Sequence, residues 1–345
     1  MSDMETVFID GSTGEGGGQI LRTSLALSCI TGKSLHIENI RAARRNPGLA
    51  KQHLSCVQAA CQICNAKCQG AAQRSKVLDF QPGPVQSGNF CFDIGSAGSA
   101  TLVAQTILPA LFLADKPSKI TVTGGTHNPL APPFDFLCES FLPAIATAGF
   151  HGNCKLVKHG FFPAGGGKIT FNIQPRQKNI HKTINLCEPT NKPQISARIY
   201  TAKLPENIAH KQHNLLLQSK LDFKNIEHIE VTDSDGPGNC VMIRLCNSRY
   251  ITVFTAFGMR GKPSQEVVSE VVNLAKDFLV SGAGIDRFLA DQLLIYMAIS
   301  KAGCCTTNEL TAHLTTNMEI IKKFLDVNFC VDKQKKICRV SCCPV

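Results

Sequence analysis

The amino-acid sequence predicts a mixed α/β (α+β) fold with three repeated units and a smaller α/β domain inserted inside or just before the third. The first observation is that a short strand, a glycine-rich turn and an apolar helix recur three times along the chain. The second is the spacing of these turns. Gly284 in the third turn follows Gly98 in the second at more than twice the distance between Gly98 and Gly16. The extra length suits one inserted small domain.

Hydrophobic periodicity and turn residues define the first two units. In the first, the strand VFID and the turn GSTGEGGG precede an apolar helix, and Gly32 suits a left-handed cap at its end. The strand SLHIENI, a helix at about residues 48–66 and two strands follow. The second unit repeats this order with FCFDI, GSAGSA, TLVAQTILPALFLA, KITVTGG and a helix at about residues 134–148.

The third unit starts from the turn SGAG and the helix IDRFLADQLLIYMAIS. A helix at about residues 317–326, with Thr316 and Asn317 as its start signal, and strands near residues 328–332 and 337–342 complete it. This unit is therefore expected to close in the same way as the first two.

The segment at residues 185–277 differs from its surroundings, because polar runs such as HKQHN alternate with β-branched strands and one long helix. We predict a large domain at residues 1–184 plus 278–345 and an inserted small α/β domain at residues 185–277. The alternative is that this segment is an elaborated part of the third unit.

Composition indicates a folded, basic protein. Of 345 residues, 43% are hydrophobic, and 36 Lys and Arg against 26 Asp and Glu give a formal charge of +10. Such an excess attracts polyanions such as nucleic acids and nucleotides. No apolar run approaches the roughly 20 residues that span a bilayer, and no export signal opens the chain. We expect a soluble, cytoplasmic protein without a membrane partner.

The 17 cysteines are expected to be reduced thiols, many of them buried. Their densest cluster is Cys56, Cys61, Cys64 and Cys68, in a stretch predicted to be helical. No second pair completes four zinc ligands there, so a zinc site is not favoured.

Two basic or glycine-rich segments suit phosphate binding. In GEGGGQILR, backbone N–H groups beside Gly16 and Gly17 can approach an anion at a helix N-terminus, Glu15 could hold a metal ion, and Gln19 and Arg22 share one helical face. The second segment, IRAARRNPGLAKQH, places Arg41, Arg44 and His53 at a strand-to-helix junction. A tight turn and a solvated basic loop remain the structural alternatives.

Three further segments contain candidate polar residues. His127 and Asn128 follow a strand in GGTHNPLAPPFDF, and Asp291 and Gln292 interrupt an apolar helical pattern in LADQLL. A buried Asp needs a partner, so Asp291 is expected to pair with an arginine or a cation. A neutral imidazole such as His313 can attack phosphorus, but the pattern alone does not distinguish it from the other nine histidines.

Taken in order, GEGGGQILRTSLAL, the arginine-rich stretch, GSAGSATLVAQTILPALF, GGTHNPLAPPFD, HGFFPAGGG, FGMRGKP, LADQLLIYMA and HLTTN resemble the RNA 3'-terminal phosphate cyclase family. The resemblance spans about residues 8–330 of the chain. It implies three βαβαββ-type units with a smaller α/β domain inserted ahead of the last unit's helices. It also implies an ATP-dependent RNA-processing ligase that converts an RNA 3'-phosphate end into a 2',3'-cyclic phosphate, with Mg²⁺ or Mn²⁺.

In that family a histidine takes AMP from ATP, passes it to the RNA 3'-phosphate, and the vicinal 2'-OH then closes the ring. The resemblance assigns the nucleophile to His313. The catalytic residues it implies are His313, Arg22, Arg41, Arg44 and His53. The ATP-binding residues it implies are Glu15, Gly16, Gly17, Gln19, Gln105, Pro132, Phe136, Phe288, Asp291, Gln292 and His313, with Glu15 also as the metal ligand.

Two positions depart from the family pattern. Phe288 stands where many relatives have Tyr, so a hydroxyl is lost while stacking on adenine is kept, and Met259 stands where relatives commonly have Glu. Two other protein classes compete with the cyclase. Non-catalytic cyclase-like proteins of ribosome assembly lack the nucleophilic histidine, and enolpyruvyl transferases, with related α/β units, have no reason to carry HLTTN or LADQ.

Overall fold

The computed structural model describes residues 5–177, 182–189, 192–247 and 250–345. Its first unit contains β1 (Thr6–Asp10), α1 (Gly18–Thr31), β2 (Ser34–Glu38), α2 (Lys51–Cys64), β3 (Lys67–Gln69) and β4 (Leu78–Gln81). The strands form a sheet in the order β1-β2-β4-β3, in which β1 and β2 are parallel and the other pairs are antiparallel. The predicted left-handed cap at Gly32 is confirmed, with φ of 74°.

The second unit repeats this arrangement. It contains β5 (Asn89–Asp93), α3 (Ala100–Phe112), β6 (Ser118–Gly124), α4 (Phe134–Phe136), a π-helical segment (Leu137–Phe141), α5 (Leu142–Ala146), β7 (Gly152–Lys158) and β8 (Gly167–Ile173). Its sheet has the order β5-β6-β8-β7, again with one parallel pair, β5 and β6. The first two units therefore share one topology.

The third unit starts with β9 (Ile184–Leu186) and is then interrupted. The interruption contains β10 (Gln194–Ala202), α6 (Asn207–Gln218), β11 (Phe223–Glu230), β12 (Gly238–Cys246), β13 (Ile251–Phe257) and α7 (Ser264–Ser281). These four strands form their own sheet, β11-β10-β12-β13. The predicted insertion is thus an α/β segment with a separate sheet.

After the insertion the third unit resumes. It contains α8 (Arg287–Ile299), β14 (Gly303–Thr307), α9 (Ala312–Phe324), β15 (Val327–Gln334) and β16 (Ile337–Pro344). The order β9-β14-β16-β15, with β9 parallel to β14, matches the first two sheets. The prediction of three repeated α/β units with a smaller α/β insertion is confirmed.

Apolar faces of the sheets and helices form one large core through the three units. In β8, Ile169, Phe171 and Ile173 point inward, while the residues between them are more exposed, as alternation along a strand requires. Helix α1 packs against α2, α3 and α9, so the three units meet around it. Cys56 and Cys64 belong to this core as small apolar side chains. Among the described residues, no helix is long and apolar enough to cross a bilayer.

A second hydrophobic core lies within the insertion, between its sheet and α7. The domain boundaries predicted from sequence fall inside secondary structure, because residue 184 begins β9 and residue 277 lies within α7. A boundary inside a paired strand would separate β9 from β14. We therefore propose that the inserted domain runs from β10 to the end of α7.

The predicted start of the last helix is wrong. Helix α9 begins at Ala312, because the Thr311 side chain accepts the N–H of Leu314 and caps the helix. His313 therefore lies in the first helical turn and does not precede the helix. Thr316 and Asn317, which had suggested the start, are buried inside the helix and face its neighbours.

Candidate active site

Three side chains from three different helices form a hydrogen-bonded chain that ends at the His313 ring. The carboxylate Oδ1 of Asp291 in α8 accepts the amide Nε2–H of Gln19 in α1, at 2.5 Å. The Oε1 atom of Gln19 lies 2.5 Å from Nδ1 of His313 in α9. The imidazole is half-exposed, whereas Gln19 is buried. The chain thus leads from the protein interior to a ring at the surface.

This series of hydrogen bonds determines which imidazole nitrogen of His313 carries the proton. Since the Gln19 amide group donates to Asp291, its oxygen faces His313 and can only accept a hydrogen bond. The proton of the neutral ring therefore lies on Nδ1, and Nε2 keeps its lone pair. Nε2 lies 3.7 Å from Oε1 of Glu15. The geometry presents a nucleophilic nitrogen beside the glycine-rich turn.

Burial and charge keep this imidazole neutral. Burial lowers the pKa of His313, and Arg22 and Arg44 lower this pKa further, against the opposing effect of Asp291. Burial raises the pKa of Asp291, while His313, Gln19 and Arg22 act to lower it. A neutral imidazole is the form that can act as a nucleophile.

Helix α9 also stabilises these hydrogen-bonded side chains through residues that follow His313. Asn317 Nδ2 donates to Oδ1 of Asp291 at 3.0 Å, and its Oδ1 accepts the hydroxyl of Thr23 at 2.6 Å. The hydroxyl of Thr316 accepts the backbone N–H of Glu15 at 3.0 Å, which ties the glycine-rich turn to α9. The sequence predicted none of these three supporting roles, although the HLTTN stretch contained two of the residues.

The consecutive glycines allow charged side chains to approach the start of α1 closely. A Cβ atom on Gly17 would lie 2.2 Å from Oε2 of Glu15 and 2.6 Å from Nη2 of Arg44. Gly17 is the N-cap of α1 and has no side-chain cap, so the first-turn N–H groups stay available to an anion. Arg44 forms an ion pair with Glu15 over this turn. The predicted phosphate-binding turn therefore brings together N–H groups, a cation and an anion.

His53 and Arg22 lie on the other side of the same turn. A Cβ atom on Gly18 would lie 2.2 Å from Nε2 of His53 and 3.0 Å from Nη1 of Arg22. Burial, together with the charges of Arg22 and Arg41, lowers the pKa of His53 to about 3. Arg41 donates to the carbonyl oxygens of its own loop at Asn46 and Gly48, at 3.0 and 2.9 Å. His53 is neutral at pH 7, beside two guanidinium groups.

The depressed pKa of His53 makes folding stability depend on pH. Below its ordinary pKa of about 6.5, the unfolded chain binds a proton that the folded chain excludes, so stability is lost as pH falls from 6.5 towards 3. We expect His53→Gln to remove a slope of up to about 1.4 kcal/mol per pH unit, or about 2 kcal/mol between pH 7 and pH 5. Urea unfolding of the wild type and of the variant at pH 7 and pH 5 measures this difference in the free energy of unfolding.

His210→Gln is the control for this measurement, because His210 is highly exposed on α6. Its free energy of unfolding should keep the wild-type dependence on pH. If the slope of His53→Gln equals that of the wild type, His53 is not a buried neutral group.

The remaining predicted site residues divide into two groups. Gln105 in α3 donates to Gln292 in α8, one residue after Asp291, so this pair joins the helices next to the site. Pro132 and Phe136 make their described contacts outside the imidazole cluster, which is the group of His313, Gln19, Asp291 and Glu15. The carbonyl of Pro132 accepts the Thr101 hydroxyl at 2.7 Å, and Phe136 is buried in the core. Phe288 is 44% exposed at the start of α8.

The candidate His127 belongs to a different, buried cluster. Its Nε2 lies 2.9 Å from Oδ2 of Asp135, whose other oxygen accepts from Arg198 and Tyr200 of the insertion. Asn128 donates to the carbonyl of Ala97 and so fixes the neighbouring loop. These contacts join the second unit to the insertion, and they do not include the imidazole of residue 313.

One carboxylate oxygen of the site is suited to a metal ion. Oε2 of Glu15 is buried and has no hydrogen-bond partner among the described residues. A buried anionic oxygen without a partner is unfavourable unless a cation reaches it. The described part of the chain contains no cluster of three or more His, Cys, Asp or Glu arranged for a metal. Glu15 therefore fits a cation that takes its other ligands from water and substrate, as Mg²⁺ commonly does.

Comparison with known proteins identifies the family of the chain. Residues 13–331 match the family described as RTC: RNA 3'-terminal phosphate cyclase. A protein of that name from Koribacter versatilis is 43% identical over 342 residues, which cover 98% of this chain and 95% of the relative. A protein of the same name from Ralstonia nicotianae is 41% identical over 327 residues, which cover 95% of this chain and 94% of the relative. Another from Pseudomonas fluorescens is also 41% identical over 327 residues, which cover 94% of this chain and 93% of the relative. The chain belongs to the RNA 3'-terminal phosphate cyclase family.

Proposed function

We propose that this chain is an ATP-dependent RNA 3'-terminal phosphate cyclase that works through a covalent His313–AMP intermediate. The observation that supports this most directly is the orientation of the imidazole. Gln19 and Asp291 hold the ring with Nε2 unprotonated, beside Glu15 and the uncapped start of α1. Relatives of 41–43% identity carry the name of this activity.

In the first step, Nε2 of His313 attacks the α-phosphorus of ATP. A P–N bond forms, and the P–O bond to pyrophosphate breaks with its electron pair on the leaving oxygen. Negative charge builds on the phosphoryl oxygens, where Arg22, Arg44 and the first-turn N–H groups of α1 would stabilise it. Asp291, acting through Gln19, would stabilise the cationic ring formed in the attack.

In the second step, an oxygen of the RNA 3'-phosphate attacks the phosphorus of the adenylate. The P–N bond breaks, and its electron pair returns to Nε2 of His313. In the third step, the vicinal 2'-oxygen attacks the RNA phosphorus, loses its proton, and expels AMP as the ring closes. The attacking hydroxyl is already beside the activated phosphate, so its alignment would account for most of the rate enhancement of this step.

Glu15 would hold Mg²⁺ or Mn²⁺ through its unpartnered Oε2 atom, and the ion would neutralise charge on the phosphates. His53 is neutral and lies against Arg22, so it can donate or accept a hydrogen bond at the RNA end without adding charge. Arg41 adds positive charge behind it. These assignments give each residue of the cluster one part in binding or charge stabilisation.

Two assays test this proposal. Incubation of the wild-type protein with α-labelled ATP and Mg²⁺ should leave label on the protein that is stable to alkali and labile to acid, as a P–N bond requires. An RNA with a 3'-phosphate should then be cyclised, whereas the same RNA with a 3'-OH should not. A protein that takes up no label and leaves both RNAs unchanged would instead be a non-catalytic member of the family.

A further inference from the structure

Arg287, the first residue of α8, lies on the ring of its neighbour Phe288. The guanidinium carbon is 5.0 Å from the ring centroid, within the range of a cation–π contact. Nη1 of Arg287 also forms an ion pair with Glu309, in the segment between β14 and α9. The guanidinium is therefore held between a carboxylate and an aromatic face.

A cation at this place in a helix calls for a specific explanation. The first turn of a helix carries a partial positive charge, which repels a cation such as Arg287. Asp286, the N-cap, has a pKa that burial raises to about 6, and Arg287 acts to lower it. Charge balance at the cap is thus one role of Arg287, and any positive charge there would serve it. The contact with the Phe288 ring, in contrast, suits a guanidinium better than an ammonium group, because the guanidinium is flat and weakly hydrated.

Phe288 lies on the side of α8 that carries the site. Asp291 and Gln292 follow it by three and four residues, so all three side chains occupy one helical face. Asp291 is linked through Gln19 to the nucleophilic imidazole. The Phe288 ring is 44% exposed, although a phenylalanine is usually buried. An exposed ring one turn from the site, with a guanidinium on one face, can take a second planar group.

We infer that Arg287 is a positioning residue that sets the affinity for the nucleotide base, by holding Phe288 as a platform for adenine. This inference rests on the proposed function. The guanidinium orients the ring before the base arrives, so less freedom is lost on binding.

The surroundings of the guanidinium indicate what keeps it in place. Arg287 and Glu309 line a cavity of about 360 Å³, together with Asp277 and Lys336. A guanidinium beside such a space can change position unless a contact fixes it. Its described ion pair is with Glu309, so loss of this carboxylate should loosen the platform while the arginine remains.

A double-mutant cycle tests the inference. Arg287→Gln is combined with Phe288→Leu, and the ATP concentration that half-saturates self-adenylation is measured for the wild type, both single variants and the double variant. We expect Arg287→Gln to raise this concentration about two- to fivefold. Its rate at saturating ATP should stay at the wild-type value. In the Phe288→Leu background, the same change should have no further effect.

Two companion variants separate positioning from charge. Arg287→Lys keeps the positive charge next to Asp286 but lacks the planar guanidinium, so it should raise the half-saturating ATP concentration like Arg287→Gln. Glu309→Gln should raise it less, because the arginine is present but not held. Arg176→Gln is the matched control: Arg176 lies over Phe150 at 4.6 Å, in the other cation–π contact of the described residues, and this change should leave ATP affinity unaltered.

Three results would overturn the inference: an equal rise in the Phe288→Leu background, full rescue by lysine, or a fall in saturated rate without a change in ATP affinity. If Arg287→Gln does not fold, Arg287→Lys and Glu309→Gln carry the same comparison. Failure of the proposed function has a different signature, because the wild-type protein would then take up no label. If the wild-type protein takes up label but the effects of Arg287→Gln and Phe288→Leu on ATP affinity simply add, only the role of Arg287 is rejected.

Discussion

Replacement of His313 by Ala is expected to abolish covalent adenylate formation and to reduce cyclisation by roughly 10⁴-fold or more, because the proposed intermediate forms on its imidazole. The His313 ring is half-exposed and its described contacts, with Gln19 and Glu15, are polar, so the variant should fold with only a small loss of stability. Labelled ATP measures adenylation, and circular dichroism during heating checks folding. Undiminished label on this variant would place the nucleophile elsewhere.

His36→Ala is the matched control for the His313 variant. His36 is also partly exposed and also contacts a carboxylate, with Nδ1 2.7 Å from Asp79. It lies on β2, outside the imidazole cluster, so its replacement should leave labelling unchanged. Equal losses of label in both variants would indicate a general effect on folding.

The pH profile gives a second test of the same imidazole. Burial lowers the pKa of His313, so its neutral form persists below the ordinary value of about 6.5. The adenylation rate should therefore stay on a plateau as pH falls through 6.5 and decline only at lower pH. A midpoint above 6.5 would contradict the buried, arginine-flanked environment of the ring.

The repeat architecture could be predicted because its signals are local. Each glycine-rich turn, apolar helix and closing strand pair lies within one stretch of chain, and hydrophobic periodicity identifies them without knowledge of the rest. The spacing of Gly16, Gly98 and Gly284 also indicated an insertion inside or just before the third unit. The domain boundaries at residues 184 and 277 stay a prediction, because a three-residue strand such as β9 is recognised only by its pairing with β14.

The hydrogen-bonded chain at the site could not be derived from the sequence alone. Gln19 and His313 are 294 positions apart, and only the packing of α1 against α9 brings them together. Thr316 and Asn317 gave a helix-start signal that is correct as a local preference. Tertiary contacts with Glu15, Thr23 and Asp291 determine their actual position. The nucleophilic role of His313 was implied by the resemblance to a family, whereas the hydrogen bonds in the structure explain how its ring is oriented.

Gly17→Ala is expected to lower activity about 100-fold with little change in stability, because small displacements of positioned groups carry penalties of this size. The backbone at Gly17 is extended, with φ of −113°, so Ala fits the chain there. Its new methyl group, however, would occupy the space of the Glu15 carboxylate and of Arg44, 2.2 and 2.6 Å away. Those two side chains, the proposed metal ligand and a proposed phosphate-binding cation, would have to move.

Gly32→Ala at the other end of α1 should have the opposite pair of effects. Gly32 has φ of 74°, and no atom lies within 4 Å of the place that an alanine methyl group would take, so Ala would strain the backbone without touching another group. We expect it to lower the free energy of unfolding by about 1–2 kcal/mol and to leave adenylation unchanged. Urea unfolding and labelled ATP, applied to both variants, give the comparison. If Gly17→Ala lost activity only in proportion to lost stability, the triple glycine would be a folding element and not a place where charged groups meet the nucleotide.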